Sequence, residues 1–550
     1  MKRLISMFLC ILLIFTCALP AFAGNPGLTG SQIPVILLSG DGDVLYDKDG
    51  NRLFSIHDLG NMDMDSKKGD LLESAANVLQ PFLLEGLLQN KWDNYYAELE
   101  KEIGELFTGV RLDNNGEASD GSDISKAHRD EVRDNMTVDK KGKKGYYAWK
   151  DYLFWYDWRL DPMTVADELH EYVEGVKAIT GAEKVAIAGR CVGINVMLAY
   201  LVKYGYDSVY GFALDGSSSN GGEFISDALS GKFKLDGPAI ERFLIDYDSI
   251  GKLSVSDFAL TSIDLLVKSG AVEGLSRAVR ATIYDKVVQG VTSALALGTY
   301  FTLPCYWSFV KAQDYEEAKN YVFGPQGSEK RVQYAGLIEK LDRYQREVVA
   351  HLPEIMGGLR EHGVNTVIIS KYGYQNLPIC ASCDLISDQY ASVTSSSFGA
   401  TTAESIYTTL SDDYIAQRVA EGKGKYISPD KQIDASTCLY PDYTWFTKGA
   451  GHAEWSATEN ELMYTVATAD HQLTVDDFDL TQFMVYQRET KSMLPMTEEN
   501  CHTEFWTADY ETDHPSNLFQ RLRVFLRSLG EWLKAAFLQL QTRLGKRETA

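Results

Sequence analysis

Five residues, Gly189-Arg190-Cys191-Val192-Gly193, carry the sharpest chemical pattern in this chain. They have the form glycine-x-nucleophile-x-glycine, between the apolar run Lys184-Val185-Ala186-Ile187-Ala188 and a helical run reaching Leu201. Small residues at both ends let the backbone turn tightly and lift the central side chain above a sheet. The Val192 N–H then points to the same spot as the Cys191 thiol and can stabilise an oxyanion. Cysteine attacks as its thiolate, which a helix N-terminus favours. The plainer reading is a glycine pair around a buried, inert thiol. Its partners decide between the two.

Such a nucleophile needs a base, and the base needs an acid to orient it. Of nine histidines, only His452 lies in a glycine-rich loop, Gly449-Ala450-Gly451-His452, directly after a strand-like run, Tyr443 to Thr447. His170, His351 and His362 fall in helical or pre-strand positions, and His471, His502 and His514 follow the last strand pattern. The acid is expected between the strand around Val367 and the strand around Trp445. Asp430-Lys431-Gln432-Ile433 has the form in which an acid leaves the sheet and an aliphatic residue follows. Asp434, four residues on, would share its side of an early helix and is the alternative.

These residues need a frame to hold them. Ile33 to Leu38, Tyr152 to Tyr156, Lys184 to Ala188, Val209 to Leu214 and Val364 to Ile369 are short apolar runs. Runs of this kind suit strands buried on both faces of a parallel sheet. Helical patterns lie between them, at 70–107, from Thr164 (whose hydroxyl is a candidate cap) to Ile179, and after Cys191. This alternation predicts an α/β fold with a mainly parallel sheet. Residues 222–360 break the rhythm and read as an inserted helical cap or lid. The polar stretches 114–145 and 391–425 read as exposed loop and irregular surface. The expected division is a signal peptide at 1–23, a core in two parts at 24–221 and 361–515, the cap between them, and a C-terminal helix at 516–550.

The chain has 550 residues, 45% of them hydrophobic and 24% charged, which suits a folded core rather than disorder. A net charge of −24 argues against a nucleic-acid partner. Lys2 and Arg3, an apolar stretch to Leu19, and Ala21-Phe22-Ala23 read as an export signal cleaved before Gly24, with an uncleaved anchor as the alternative. Export permits disulfides, and the mature chain holds Cys191, Cys305, Cys380, Cys383, Cys438 and Cys501. Cys380 and Cys383 form a C-x-x-C with no second metal-ligand pair, so a local disulfide, or one of the two joined to Cys438, is expected rather than a metal. A thiol-redox role for that pair lacks any surrounding thioredoxin-like pattern. No cofactor is implied. Residues 518–550 place Leu518, Leu522, Phe525, Leu529, Leu533, Leu540 and Leu544 on one helical face. Seven basic residues there outnumber two acidic ones, a net of +5 on an acidic protein. Such a helix can lie on an anionic membrane or dock its leucine face on the body.

With these residues assembled, the chain resembles the lecithin–cholesterol acyltransferase family of α/β-hydrolases. Pro34 to Asp41 is similar to the family's opening strand and oxyanion loop, and Tyr156-Asp157-Trp158-Arg159-Leu160-Asp161-Pro162 to its Y-D-W-R-L-x-P signature. Gly189 to Gly193 is similar to its nucleophile turn, and Asp430 to Cys438 to its acid loop. Cys191 stands where the family has serine, Arg190 where it has histidine, and Pro429-Asp430-Lys431 where it has Gly-Asp-Gly. The resemblance implies an α/β-hydrolase fold with the insertion as a lipid-binding lid. It implies nucleophile Cys191, acid Asp430, base His452, and oxyanion N–H groups from Asp41 and Val192. The expected activity is that of a secreted acyl hydrolase or O-acyltransferase on lipid or other esters, working through a thioester. The alternative is a catalytically silent lipid-binding or surface protein on the same scaffold.

Overall fold

The computed structural model describes residues 32–38, 40, 43–54, 77–78, 80–87, 89–106, 110–141, 147–232, 239, 286, 290, 302–376, 380–454, 456–478, 481–501 and, near the C-terminus, 526, 527, 529, 530, 533 and 534. Its centre is an eight-stranded sheet made of β1 (Val35–Leu38), β2 (Tyr152–Phe154), β3 (Val185–Arg190), β4 (Val209–Asp215), β5 (Asn365–Tyr372), β6 (Thr444–Lys448), β7 (Phe483–Gln487) and β8 (Ser492–Pro495). The strand order from one edge is β2-β1-β3-β4-β5-β6-β7-β8. Every neighbouring pair is parallel except β7 and β8.

The apolar runs form strands because both of their faces are covered. Ile36, Leu38, Ile187, Phe212, Leu214 and Ile368 pack into one core with α1 (Pro162–Thr180), α2 (Val192–Tyr204) and α3 (Leu352–Glu361). The alternate residues Val35, Leu37, Ala186, Ala188, Ala213, Val367 and Ile369 pack with α4 (Ala457–Thr468) on the other face. Alanines at 186, 188 and 213, with Gly211, let α4 approach closely. A Cβ on Gly211 would collide with the backbone carbonyl of Ala467.

Five expectations change. The run Tyr443 to Thr447 is not the last strand, since β7 pairs parallel with β6 and β8 antiparallel with β7, so His471 precedes the end of the sheet. Helix α1 starts before Thr164, because Asp161 accepts a hydrogen bond from the Met163 N–H at 3.1 Å and Pro162 presets the first helical φ. It ends as expected, at Gly181, whose φ of 72° is left-handed. The stretch 114–145 contains a helix, Lys126–Thr137, with too few apolar residues to show in the sequence. Arg129 ties that helix to Asp123 and to Glu168 of α1. The stretch 391–425 is also ordered, with helices Val393–Ser396 and Asp412–Ala420. Its buried hydroxyls are satisfied within the run and from other elements: Ser392 caps the Ser395 N–H and donates to Glu223 at 2.6 Å, Ser395 donates to the Gly221 carbonyl, and Ser397 donates to the Val393 carbonyl at 2.6 Å. Finally, all six described cysteines are buried and none is in a disulfide, so the expected bridge among Cys380, Cys383 and Cys438 is not formed.

The described part of 222–360 is helical, including Glu223–Leu229, Tyr315–Phe323 and Ala335–Glu347. The signal segment 1–23 and Asp41 lie outside the described residues. So does most of 516–550, where Leu526 and Leu533 are helical and exposed. No described helix is long and apolar enough to cross a membrane.

Candidate active site

Strand β3 ends at Arg190 and α2 begins at Val192, leaving one residue for the turn. That residue, Cys191, has φ 50° and ψ −125°. A side chain in this positive-φ region is strained, and the surrounding packing must hold it there. Gly189 explains part of the constraint. A Cβ there would meet the Met197 sulfur and lie at ordinary contact distance, 3.4 and 3.5 Å, from Gly193 and Ile194, so any other residue would displace the Met197 side chain that packs α2 against the strand. Val192 is the first helical residue, and its N–H belongs to the turn of donors that an α-helix leaves without intrahelical partners. Cys191 is 7% exposed.

His452 lies in the loop after β6 and is 2% exposed. Its Nδ1 is 2.7 Å from Asp388 Oδ2, and its backbone N–H donates to the Asp388 carbonyl at 2.9 Å. The acid loop thus holds the histidine at two points. Its Nε2 is buried and has no hydrogen-bond partner among the described residues. Tyr390 lies against the ring, with centroids 5.3 Å apart. Gly216, at φ 61°, closes the other side of the pair.

Asp388, completely buried, is in the segment that follows β5 and takes N–H bonds from Tyr390 at 3.0 Å and Ala391 at 2.8 Å. Burial pushes its carboxyl upward, but His452 and the two amides outweigh that and hold it below the ordinary 3.8. Asp388 is therefore ionised at neutral pH. An ionised carboxylate at this distance favours the tautomer with the proton on Nδ1, which leaves Nε2 as the basic nitrogen.

This pairing corrects the expected acid. Asp430 is buried elsewhere, in an ion pair with Lys448 at 2.8 Å, accepting from the Tyr372 hydroxyl at 3.0 Å and from the Gln432 N–H at 3.1 Å. Lys448 and Tyr372 project from the sheet face that Phe446 shares, into a separate core, and Asp430 serves that core. Asp434 is likewise occupied, capping Ser436 and accepting from Tyr414 at 2.8 Å. The aliphatic residue after Asp430 suggested a loop leaving the sheet, whereas Asp388 precedes Gln389 and Tyr390 and shows no such form. The available signal was its place: an aspartate between the short strand Ile386–Ser387 and a helix capped by Ser392.

The Y-D-W-R stretch is structural. Arg159, fully buried, is held by Asp157 at 2.6 and 2.9 Å and by Ser122 at 3.1 Å. The Trp158 indole donates to the Asp43 carbonyl at 3.3 Å, at the end of the loop that follows β1. Among the described residues no group of three or more His, Cys, Asp or Glu side chains is arranged to hold a metal ion. Cys380 is buried without exposure and its thiol is pushed well above its usual range by burial, as befits an inert core residue.

No family model matches this chain, and no curated protein matches it. Among solved structures it is similar to one described as "The crystal structure of Tle4-Tli4 complex", at 14% identity over 62% of this chain and 75% of that chain. The TM-score is 0.24, too low for that similarity to bear on fold or activity.

Proposed function

We propose that this protein is a thiol-dependent acyl hydrolase or acyltransferase with an α/β-hydrolase fold, exported from the cell and acting on lipid or other esters. One observation carries the reading. A strained cysteine stands between β3 and α2, on the same carboxyl edge of the sheet as a buried aspartate–histidine pair supplied after β5 and β6. Chain order, nucleophile then acid then histidine, is the one expected for such a fold. The lecithin–cholesterol acyltransferase resemblance supports the substrate class.

The chemistry follows from the parts. The Cys191 thiolate adds to the ester carbonyl, and the resulting oxyanion takes the Val192 N–H. The carbonyl re-forms as the C–O bond breaks, and His452 Nε2 protonates the departing alcohol. The thioester is then attacked by water or an acceptor alcohol, whose proton passes to His452, and the thiolate leaves. Asp388 keeps the imidazole oriented and stabilises its charged form throughout.

Iodoacetamide tests the assignment. Alkylation mapped to Cys191 should abolish hydrolysis of a short-chain ester, while a serine-directed fluorophosphonate should label weakly. Full turnover after complete Cys191 alkylation would overturn it.

A further inference from the structure

Beneath the proposed site lies a set of buried charges that the chemistry above does not use. Arg190 and Asp215 end neighbouring strands in register, and Asp215 is in turn opposite Ile369. Lys371, two residues further along β5, therefore projects from the same sheet face, one step nearer the carboxyl edge. Arg190 and Asp215 form an ion pair, each 2% exposed at its side chain. The Lys371 ammonium, with no exposure, lies 2.9 Å from Asp215 Oδ1 and 4.0 Å from Glu459 in the first turn of α4. It also donates to the Glu454 carbonyl at 2.7 Å.

That last bond gives the cluster a direction. Arg190 precedes Cys191 by one residue, and Glu454 follows His452 by two. The chain of contacts Arg190, Asp215, Lys371, Glu454 carbonyl thus joins the nucleophile turn to the histidine loop across two strands. The Glu454 carboxylate closes the loop on itself, accepting from the Gly451 N–H at 2.7 Å and from Arg488 at 3.0 and 3.1 Å. Arg488 also reaches the Gly449 carbonyl at 3.2 Å. Those bonds shape the loop internally; Lys371 is what ties it to the Arg190–Asp215 pair.

We propose that Lys371 is a positioning residue that fixes the register between Cys191 and His452 through Asp215 and the Glu454 carbonyl. The proposal rests on the thiol–imidazole reading above. A buried lysine is costly, because desolvation disfavours its charge and Arg190 adds repulsion. An apolar side chain would fill the space without that cost, so the ammonium is explained by what it holds together. Asp215 and Glu459 balance the two cations, and Asp388, His452, Cys191 and the Glu454–Arg488 pair are further charged or titratable groups at this end of the sheet.

The test compares wild type with Lys371→Met, Lys371→Arg and His452→Ala in the full chain. The first readout is the pH profile of Cys191 alkylation by iodoacetamide, mapped by peptide mass; the second is kcat and KM on a short-chain ester. Lys371→Met should lower kcat about 100-fold with little change in KM, the size of effect that a small misplacement produces. Its alkylation profile should move toward that of His452→Ala, and Lys371→Arg should recover part of both. Folded Lys371→Met with wild-type alkylation and kcat would overturn the proposal. If the methionine variant fails to fold, Lys371→Gln is judged by the same criterion. If His452→Ala itself leaves alkylation unchanged, the thiol–imidazole reading fails instead.

Discussion

Asp388→Asn separates the acid seen in the structure from those the sequence suggested. The Asp388 carboxylate and the His452 imidazole are both essentially buried and meet at 2.7 Å. In the proposed acyl transfer His452 takes a proton, and its charge would then sit about 4 Å from that of Asp388. At an effective dielectric of about 20 the attraction is about 4 kcal/mol, or roughly 10³-fold in rate. Asparagine removes the charge and can also present its NH2 to Nδ1, favouring the wrong tautomer. Turnover of a short-chain ester should therefore fall about 10³-fold, with a folded protein by circular dichroism. Asp430→Asn should behave differently. It breaks the buried pair with Lys448 and should cost about 3–5 kcal/mol of stability while the folded fraction keeps near-native turnover. Purified, folded Asp388→Asn with turnover within threefold of wild type would refute the assignment, as would a selective loss of kcat in folded Asp430→Asn.

Three other outcomes follow from the same geometry. Asp388's carboxyl is held below its ordinary value, so its contribution is present above that value and is lost as pH falls through the lower, folded one. The stability deficit of Asp388→Asn should be constant from about pH 5 to 8 and shrink below about pH 4 in urea titrations; a deficit already gone at pH 6 would contradict this. Gly211→Ala should lose about 2–3 kcal/mol, because the obstructing Ala467 carbonyl is helix backbone and cannot swing aside, and an unchanged urea midpoint would contradict the close packing of α4 on β4. A chain ending at Ser516 should keep short-chain esterase activity and lose binding to anionic vesicles, consistent with exposed Leu526 and Leu533; equal vesicle binding would reject a membrane role for residues 518–550.

Strands β1 to β6 were legible because each is a short apolar run covered on both faces. Strands β7 and β8, which follow the last strand pattern read in the sequence, were not, because β8 at the antiparallel edge, Ser492–Pro495, mixes buried and exposed positions and carries no apolar run. Cys191 and His452 were legible as singular residues in glycine-flanked turns at strand ends. Asp388 was not, because several acids lie between β5 and β6 and only the folded path decides which one meets His452. The form around Asp430 misled, since the physical demand there is for a counter-ion to buried Lys448. The helix Lys126–Thr137 escaped for a related reason. Its pairs, such as Lys126 with Asp130 at 2.8 Å and Arg133 with Asp130 at 2.7 Å, support a polar helix whose apolar face is only Val132 and Met136, too short to reveal it. The Ser392–Ser397 run looked like surface because hydroxyls usually are, yet caps within the run and bonds to Glu223, the Gly221 carbonyl and Ser370 satisfy them and allow burial.

The proposed chemistry requires that Cys191 carry an acyl group during turnover. Peptide mass spectrometry after brief incubation with a mixed lipid extract, followed by acid quench, tests it most directly. An acyl mass is expected on the peptide containing Cys191, removed by hydroxylamine and absent in Cys191→Ala. Ester hydrolysis with no adduct on Cys191, or an adduct that persists in Cys191→Ala, would contradict it, and lipid bound without any hydrolysis would favour a silent binding protein on this scaffold.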